Sequence, residues 1–154
     1  MSSAGWWMIG GLGAGLMLAA IVWPGWKRKL RAAKQCSALK LFQQRREWLE
    51  ARFLTVASQS GKPRGLRWSD CDFENGVRFG RDRNTDELRA FIGVTIKFEA
   101  IENGGMEDVA AVDNRKVATA VFGFDGKEWT TDGRAVFNLN PDETLEHFQH
   151  ELVT

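Results

Sequence analysis

An α+β domain behind a single N-terminal membrane-spanning helix is the architecture this sequence predicts, and three observations predict it. No side chain from Met1 to Trp26 is charged. Apolar residues then recur with a helical period to about Ser60, and from Leu66 the period switches to two. The expected order is a short tail (1–5), a transmembrane helix (6–26), a basic juxtamembrane segment (27–38) and a soluble α+β domain (39–154). Within that domain a long helix precedes about five mainly antiparallel strands and a short C-terminal helix.

The apolar stretch from Trp6 to Trp23 covers 18 residues. At ~1.5 Å per residue this spans ~27 Å, close to a ~30 Å hydrocarbon core. Trp6 and Trp7 mark one end, Trp23 and Trp26 the other, where an indole combines an apolar body with an N–H donor at headgroup level. Pro24 and Gly25 break the helix, and Lys27, Arg28, Lys29, Arg31 and Lys34 come directly after. A cleaved signal peptide would need basic residues before the apolar run, and here they lie after it. The same asymmetry predicts an N-terminus outside and a cytoplasmic C-terminal domain, in a cell (inner) membrane. Gly11, Gly15 and Ala19 share one helix face, a small-residue pattern that suits self-association or a membrane-protein partner.

Charge is unevenly spread. Residues 1–98 hold 17 bases and 8 acids, a net +9; residues 99–154 hold 4 and 12, a net −8. Beside the membrane, the basic cluster favours the lipid bilayer over nucleic acid as its partner. Two cysteines, Cys36 and Cys71, are too few for a disulfide scaffold.

One long helix, or two, is expected over about 27–60. Leu39, Phe42, Leu49, Phe53 and Val56 form its inward stripe, which Leu41 and Trp48 widen and Arg46 alone interrupts. Gly61 and Pro63 stop it. Leu66–Phe73 and Val77–Arg81 flank Glu74-Asn75-Gly76, a hairpin signal. From Leu88 to Ile101, Leu88, Ala90, Ile92, Val94, Ile96 and Phe98 take one face, and Arg89, Thr95, Lys97 and Glu99 the other. Val117–Phe124 and Lys127–Leu139 flank Asp125-Gly126, which suits a two-residue turn. Trp129, Ala135, Phe137 and Leu139 are assigned to the buried face of that last strand. Asn140 as N-cap, Pro141 in the first turn, and Asp142 and Glu143 near the helix dipole open the final helix, with Leu145, Phe148 and Leu152 inward.

Residues that could carry chemistry are few. Asp70, Asp72 and Glu74 alternate along a strand and could face a hard cation. An EF-hand is excluded by Asn75 at its glycine position and Arg81 at its final acid, so a charge ladder with nearby arginines is expected. Glu143, His147 and His150 fall on one helical face and are weak zinc candidates; they lack an HExxH arrangement and the enclosure a catalytic metal needs. Cys71 is expected to be a buried inert thiol. Gly61-Lys62-Pro63 fails as a P-loop, and no cofactor is expected. A pocket between helix and curved sheet would be lined by Asp70, Asp72, Arg89, Asp132 and Arg134.

Two resemblances add to this. The helix-then-meander order resembles cystatin-like or NTF2-like sheets wrapped around a helix. The run Arg46-Glu47-Trp48-Leu49-Glu50-Ala51-Arg52-Phe53-Leu54, the run Ser60-Gly61-Lys62-Pro63-Arg64-Gly65-Leu66-Arg67-Trp68 and the ending Phe137-Asn138-Leu139-Asn140-Pro141 resemble membrane-anchored, uncharacterised bacterial proteins of planctomycete type. That likeness implies a bacterial inner-membrane setting and no activity or catalytic residue. Three functions emerge as expectations: a membrane-anchored interaction or assembly module, a small-ligand-binding or enzymatic domain using the helix–sheet pocket, or a lipid-surface sensor using Lys27 to Lys34.

Overall fold

A computed structural model describes residues 32–59, 65–106, 108 and 115–153. The predicted span, its small-residue face and the basic residues Lys27, Arg28, Lys29 and Arg31 lie outside the described residues, as does the helix stop at Gly61 and Pro63. Among the described residues no helix is long and apolar enough to cross a membrane. The chain divides into two compact units, Met1–Lys40 and Leu41–Thr154. The described part of the first is the start of helix α1, which covers residues 32–59. The rest of α1 and the whole sheet belong to the second.

An α+β fold is present. After α1 come β1 (Leu66–Asp82), β2 (Leu88–Ala100), β3 (Lys116–Phe124), β4 (Trp129–Thr130), β5 (Ala135–Phe137), α2 (Pro141–His147) and β6 (Leu152–Val153). The strands form one antiparallel sheet in the order β4-β3-β2-β1-β6, with β5 also paired to β3.

The apolar face expected of β2 is buried, but β2 is not half-buried throughout: Phe91 and Gly93 on its other face are buried too. Leu88, Ala90, Ile92, Val94, Ile96 and Phe98 are all buried, and β3 continues their face with Ala118, Ala120 and Phe122. Phe42, Leu49 and Phe53 of α1 are fully buried against this face. The interface is built of rings: Phe42 stands edge-on to Phe79, Phe122 and Trp129, with centroids 5.7, 5.7 and 4.8 Å away. Phe53 meets Trp68, Phe73 and Phe122 at 6.2, 5.8 and 5.8 Å. Edge-to-face packing sets the positive edge of one ring on the negative face of the next, adding to the gain from removing apolar area from water.

The other face of the sheet has a core of its own, which the alternation hides. Phe91 and Val121, pointing away from α1, join Leu152 in a buried cluster completed by Val136, Leu145 and Phe148. Gly80 admits α2 here, since a Cβ on it would lie 2.9 Å from Leu145 Cδ2.

Three expectations about the strands are corrected. Glu74-Asn75-Gly76 does not turn the chain back. β1 runs through it, because both halves pair with β2, Phe73 opposite Val94 and Val77 opposite Ile92. Four steps on β1 face two on β2, so the extra residues form a bulge. The segment expected as one strand from Lys127 is two, β4 and β5, split at Gly133. Gly133 has φ +76°, and a Cβ there would lie 2.6 Å from the Ala57 backbone nitrogen of α1. The turn at Asp125-Gly126 is also longer than two residues. Phe124 pairs with Trp129, and Asp125 Oδ1 accepts from the Lys127 and Glu128 N–H groups, both at 2.8 Å.

Candidate functional site

The five residues assigned to a helix–sheet pocket do not meet there, because aromatic rings fill the space between α1 and the sheet. Asp70 and Asp72 sit opposite Lys97 and Thr95, on the face turned away from α1. Arg89 pairs with the buried Asp82 at 2.8 Å. Asp132 has its carboxylate accepting from the Arg134 N–H at 3.0 Å. Arg134 lies over the Phe148 ring, 5.5 Å from its centroid.

Two of the five, Arg89 and Arg134, do converge. They share a cleft with Phe91, Val121, Val136 and Phe148 on the α2 side of the sheet. Its interior volume is about 10 Å³, room for roughly one water molecule.

The acidic positions are absorbed by structure. Asp72 pairs with Arg115 at 3.3 Å, and Asp70 Oδ1 accepts from the Cys71 N–H at 2.9 Å. Glu74 folds over Gly93, whose missing side chain leaves space for its carboxylate. The expected arginine partners look elsewhere: Arg67 to Glu99, Arg78 to Asp142 and Arg81 to Asp86.

The weak zinc candidates are separated by the end of a helix. α2 stops at His147, with Phe148 as its C-cap, so His150 falls in the turn beyond and leaves the predicted face. Leu152, expected to be helical, belongs to β6, yet it reaches the same cluster as Leu145 and Phe148. Glu143 is committed to a capping box: its carboxylate accepts from Asn140 N–H at 2.9 Å while Asn140 Oδ1 accepts from Glu143 N–H at 2.8 Å. Among the described residues, no three His, Cys, Asp or Glu side chains are gathered to hold a metal ion.

Cys71 is half-buried on the α1 side of the sheet, opposite Ile96. Burial pushes its thiol up to about 12, and the Asp70 and Asp72 carboxylates push the same way. Fewer than about one in a thousand would be thiolate at neutral pH, which makes it a poor nucleophile.

Arg46, the polar break in the α1 stripe, has a clear purpose. Its guanidinium donates to Glu50 at 2.7 Å, to the Asn75 carbonyl at 2.8 Å and to the Glu74 carbonyl. One arginine thus ties the helix to the β1 bulge, satisfying carbonyls that the ladder leaves behind. Among the described residues, every buried side-chain nitrogen and oxygen has a hydrogen-bond partner.

One surface escapes the sequence expectation. Trp48 does not widen the buried stripe; it is 51% exposed. The Arg52 guanidinium lies over its ring, 5.6 Å from the centroid, and Arg45 is exposed on the same side. The signal is present in the sequence: Leu41, Arg45, Trp48 and Arg52 recur at steps of four, three and four, so they share one strip of helix beside the buried one. This exposed aromatic and basic stripe is the candidate contact surface of the domain. No protein-family model matches the chain, and no curated protein or solved structure is significantly similar to it.

Proposed function

We propose that this protein is a single-pass membrane protein of a bacterial inner membrane, its α+β domain acting on the cytoplasmic side as an interaction or assembly module. The observation that carries the module reading is the packed interior. Where a ligand-binding domain would hold a hollow between helix and sheet, Phe42, Phe53, Phe122 and Trp129 are fully buried against one another. The cleft at Arg89 and Arg134 is too small to restore that alternative.

The membrane placement rests on the uncharged segment to Trp26, its tryptophans at both ends and the basic residues after it. The decisive experiment is purification of the full chain from its membrane in mild detergent. A membrane protein in fixed ratio, or a defined self-complex, is expected to come with it. A chain that purifies alone as a monomer overturns the module reading. Thiol labelling of single cysteines placed on either side of the span tests the orientation. Reaction of a C-terminal-domain cysteine with an impermeant reagent applied outside intact cells would reverse it.

A further inference from the structure

Leu41, Arg45, Trp48 and Arg52 line one strip of α1. Trp48 is the most exposed large hydrophobic side chain among the described residues. The Arg52 guanidinium 5.6 Å above its ring makes a unit with an apolar body and a charged rim. Arg45 has an acidic neighbour, Glu128, but at 3.9 Å and with both side chains at least half exposed. Such a pair is loose and leaves the guanidinium able to find stronger acceptors.

We propose that this strip docks the 41–154 unit onto an anionic lipid surface, the indole of Trp48 entering the headgroup layer and Arg45 and Arg52 meeting lipid phosphates and carboxylates. The proposal rests on the membrane-tethered reading of the chain and deepens it by naming the surface the domain rests on. Three observations favour lipid over an acidic protein. An exposed indole between guanidinium groups on one helix face is the composition of interfacial helices. The strip carries two guanidinium groups, Arg45 and Arg52, and no acid of its own, with Glu128 of the β3–β4 turn as the loosely held acid beside it. Tethering supplies the third. Fifteen residue steps separate Trp26 from Leu41. Nine of those steps lie inside α1 and rise ~1.5 Å each, so the reach from Trp26 is at most roughly 35 Å and the domain stays at a high effective concentration near the bilayer.

The test uses the full chain, with Cys36→Ser and Cys71→Ser, reconstituted into vesicles of phosphatidylcholine alone or with added phosphatidylserine. An environment-sensitive dye is placed at Thr55→Cys, two turns beyond Trp48 on the same side. Control dyes go to Glu47→Cys on the other flank of α1 and to Val117→Cys, an exposed apolar site on β3. The expected result is a phosphatidylserine-dependent blue shift and quenching by nitroxide-bearing lipid at position 55 alone. Arg45→Ser with Arg52→Ser should lower the docked-to-free ratio by about tenfold or more. All the substituted α1 positions are exposed, so the fold does not depend on them. A chain that floats with vesicles but shows no lipid response at 55, or a stronger one at 117, overturns docking through this strip and leaves the anchor standing. A response that is equal without phosphatidylserine overturns the anionic-lipid claim. A chain that alkaline carbonate extracts from the vesicles overturns the anchor itself, and the docking with it.

Discussion

The two faces of the sheet are held by different physics. Under α1 the contacts are aromatic, buried and continuous: Phe42, Phe53, Phe122 and Trp129 are almost wholly removed from water. Among the described residues, the apolar core of the opposite face is the small cluster around Phe91, Val121 and Leu152, and that face also carries ion pairs such as Arg67–Glu99 and Arg115–Asp72 between exposed side chains. Removing rings from water contributes several times more than pairing charges that water already solvates well. The first face therefore makes the fold, and the second tolerates change.

Substitutions on the two faces put that contrast to the test, with denaturant midpoints of the full chain in mild detergent as the measurement. Phe42→Ala removes a ring that touches three others, and should cost roughly 3–5 kcal/mol. Leu145→Ala, on the α2 side and only partly buried, should cost clearly less, about 2 kcal/mol or under. Equal losses at the two sites would dissolve the distinction.

Arg46→Ala asks whether polar ties add to the aromatic face. It strands the Glu74 and Asn75 carbonyls of the bulge, and a loss of about 1–3 kcal/mol is expected. A neutral result would mean that water replaces the guanidinium without cost.

Asp82 gives a pH-dependent version. The backbone N–H of Asn84, then that of Thr85, and the nearby Arg89 hold its carboxyl below the usual carboxylate range. A folded-state pKa below the unfolded value adds stability that is fully present above the unfolded pKa of about 3.9 and is lost as pH falls through the folded value. Asp82→Asn should therefore unfold at lower denaturant than the parent near neutral pH. The gap should close as the solution is acidified below about pH 4. Other acids held low, among them Asp125 and Asp142, titrate in both proteins and cancel in the difference. A gap that stays constant with pH would remove Asp82 from the account. At the small end, Arg115→Ala breaks a pair whose side chains are 67% and 65% exposed, and should change stability by no more than about 0.5 kcal/mol.

Much of the architecture is legible in the residues alone, and the departures from it have a common form. The stripe of Phe42, Leu49 and Phe53, the apolar face of β2 and the Asn140 N-cap each depend on neighbours three or four residues away, or two along a strand. Periodicity sees that range. Glu74-Asn75-Gly76 reads as a hairpin because turn chemistry and bulge chemistry use the same residues. Only the pairing of both halves with β2 separates them. The helix–sheet pocket fails because side-chain type says which groups are polar, but not whether a tryptophan distant in the chain fills the space. Trp48 reads as core since it borders the buried strip, and one step around the helix decides between solvent and sheet.

Sequence alone determined the class of the chain: α+β order, an inward helix stripe, one buried apolar face of the second strand, and an uncharged N-terminal segment ahead of a basic cluster. Hydrophobic spacing within one or two turns settles those, because it reports which face of an element must leave water. Tertiary structure decided the rest. It closed the helix–sheet space with rings, gave the sheet a second small core under α2, bound Arg46 to the bulge and left Trp48 with Arg52 on the outside. Each of these depends on residues distant in the chain arriving at one place, and no local period encodes that meeting.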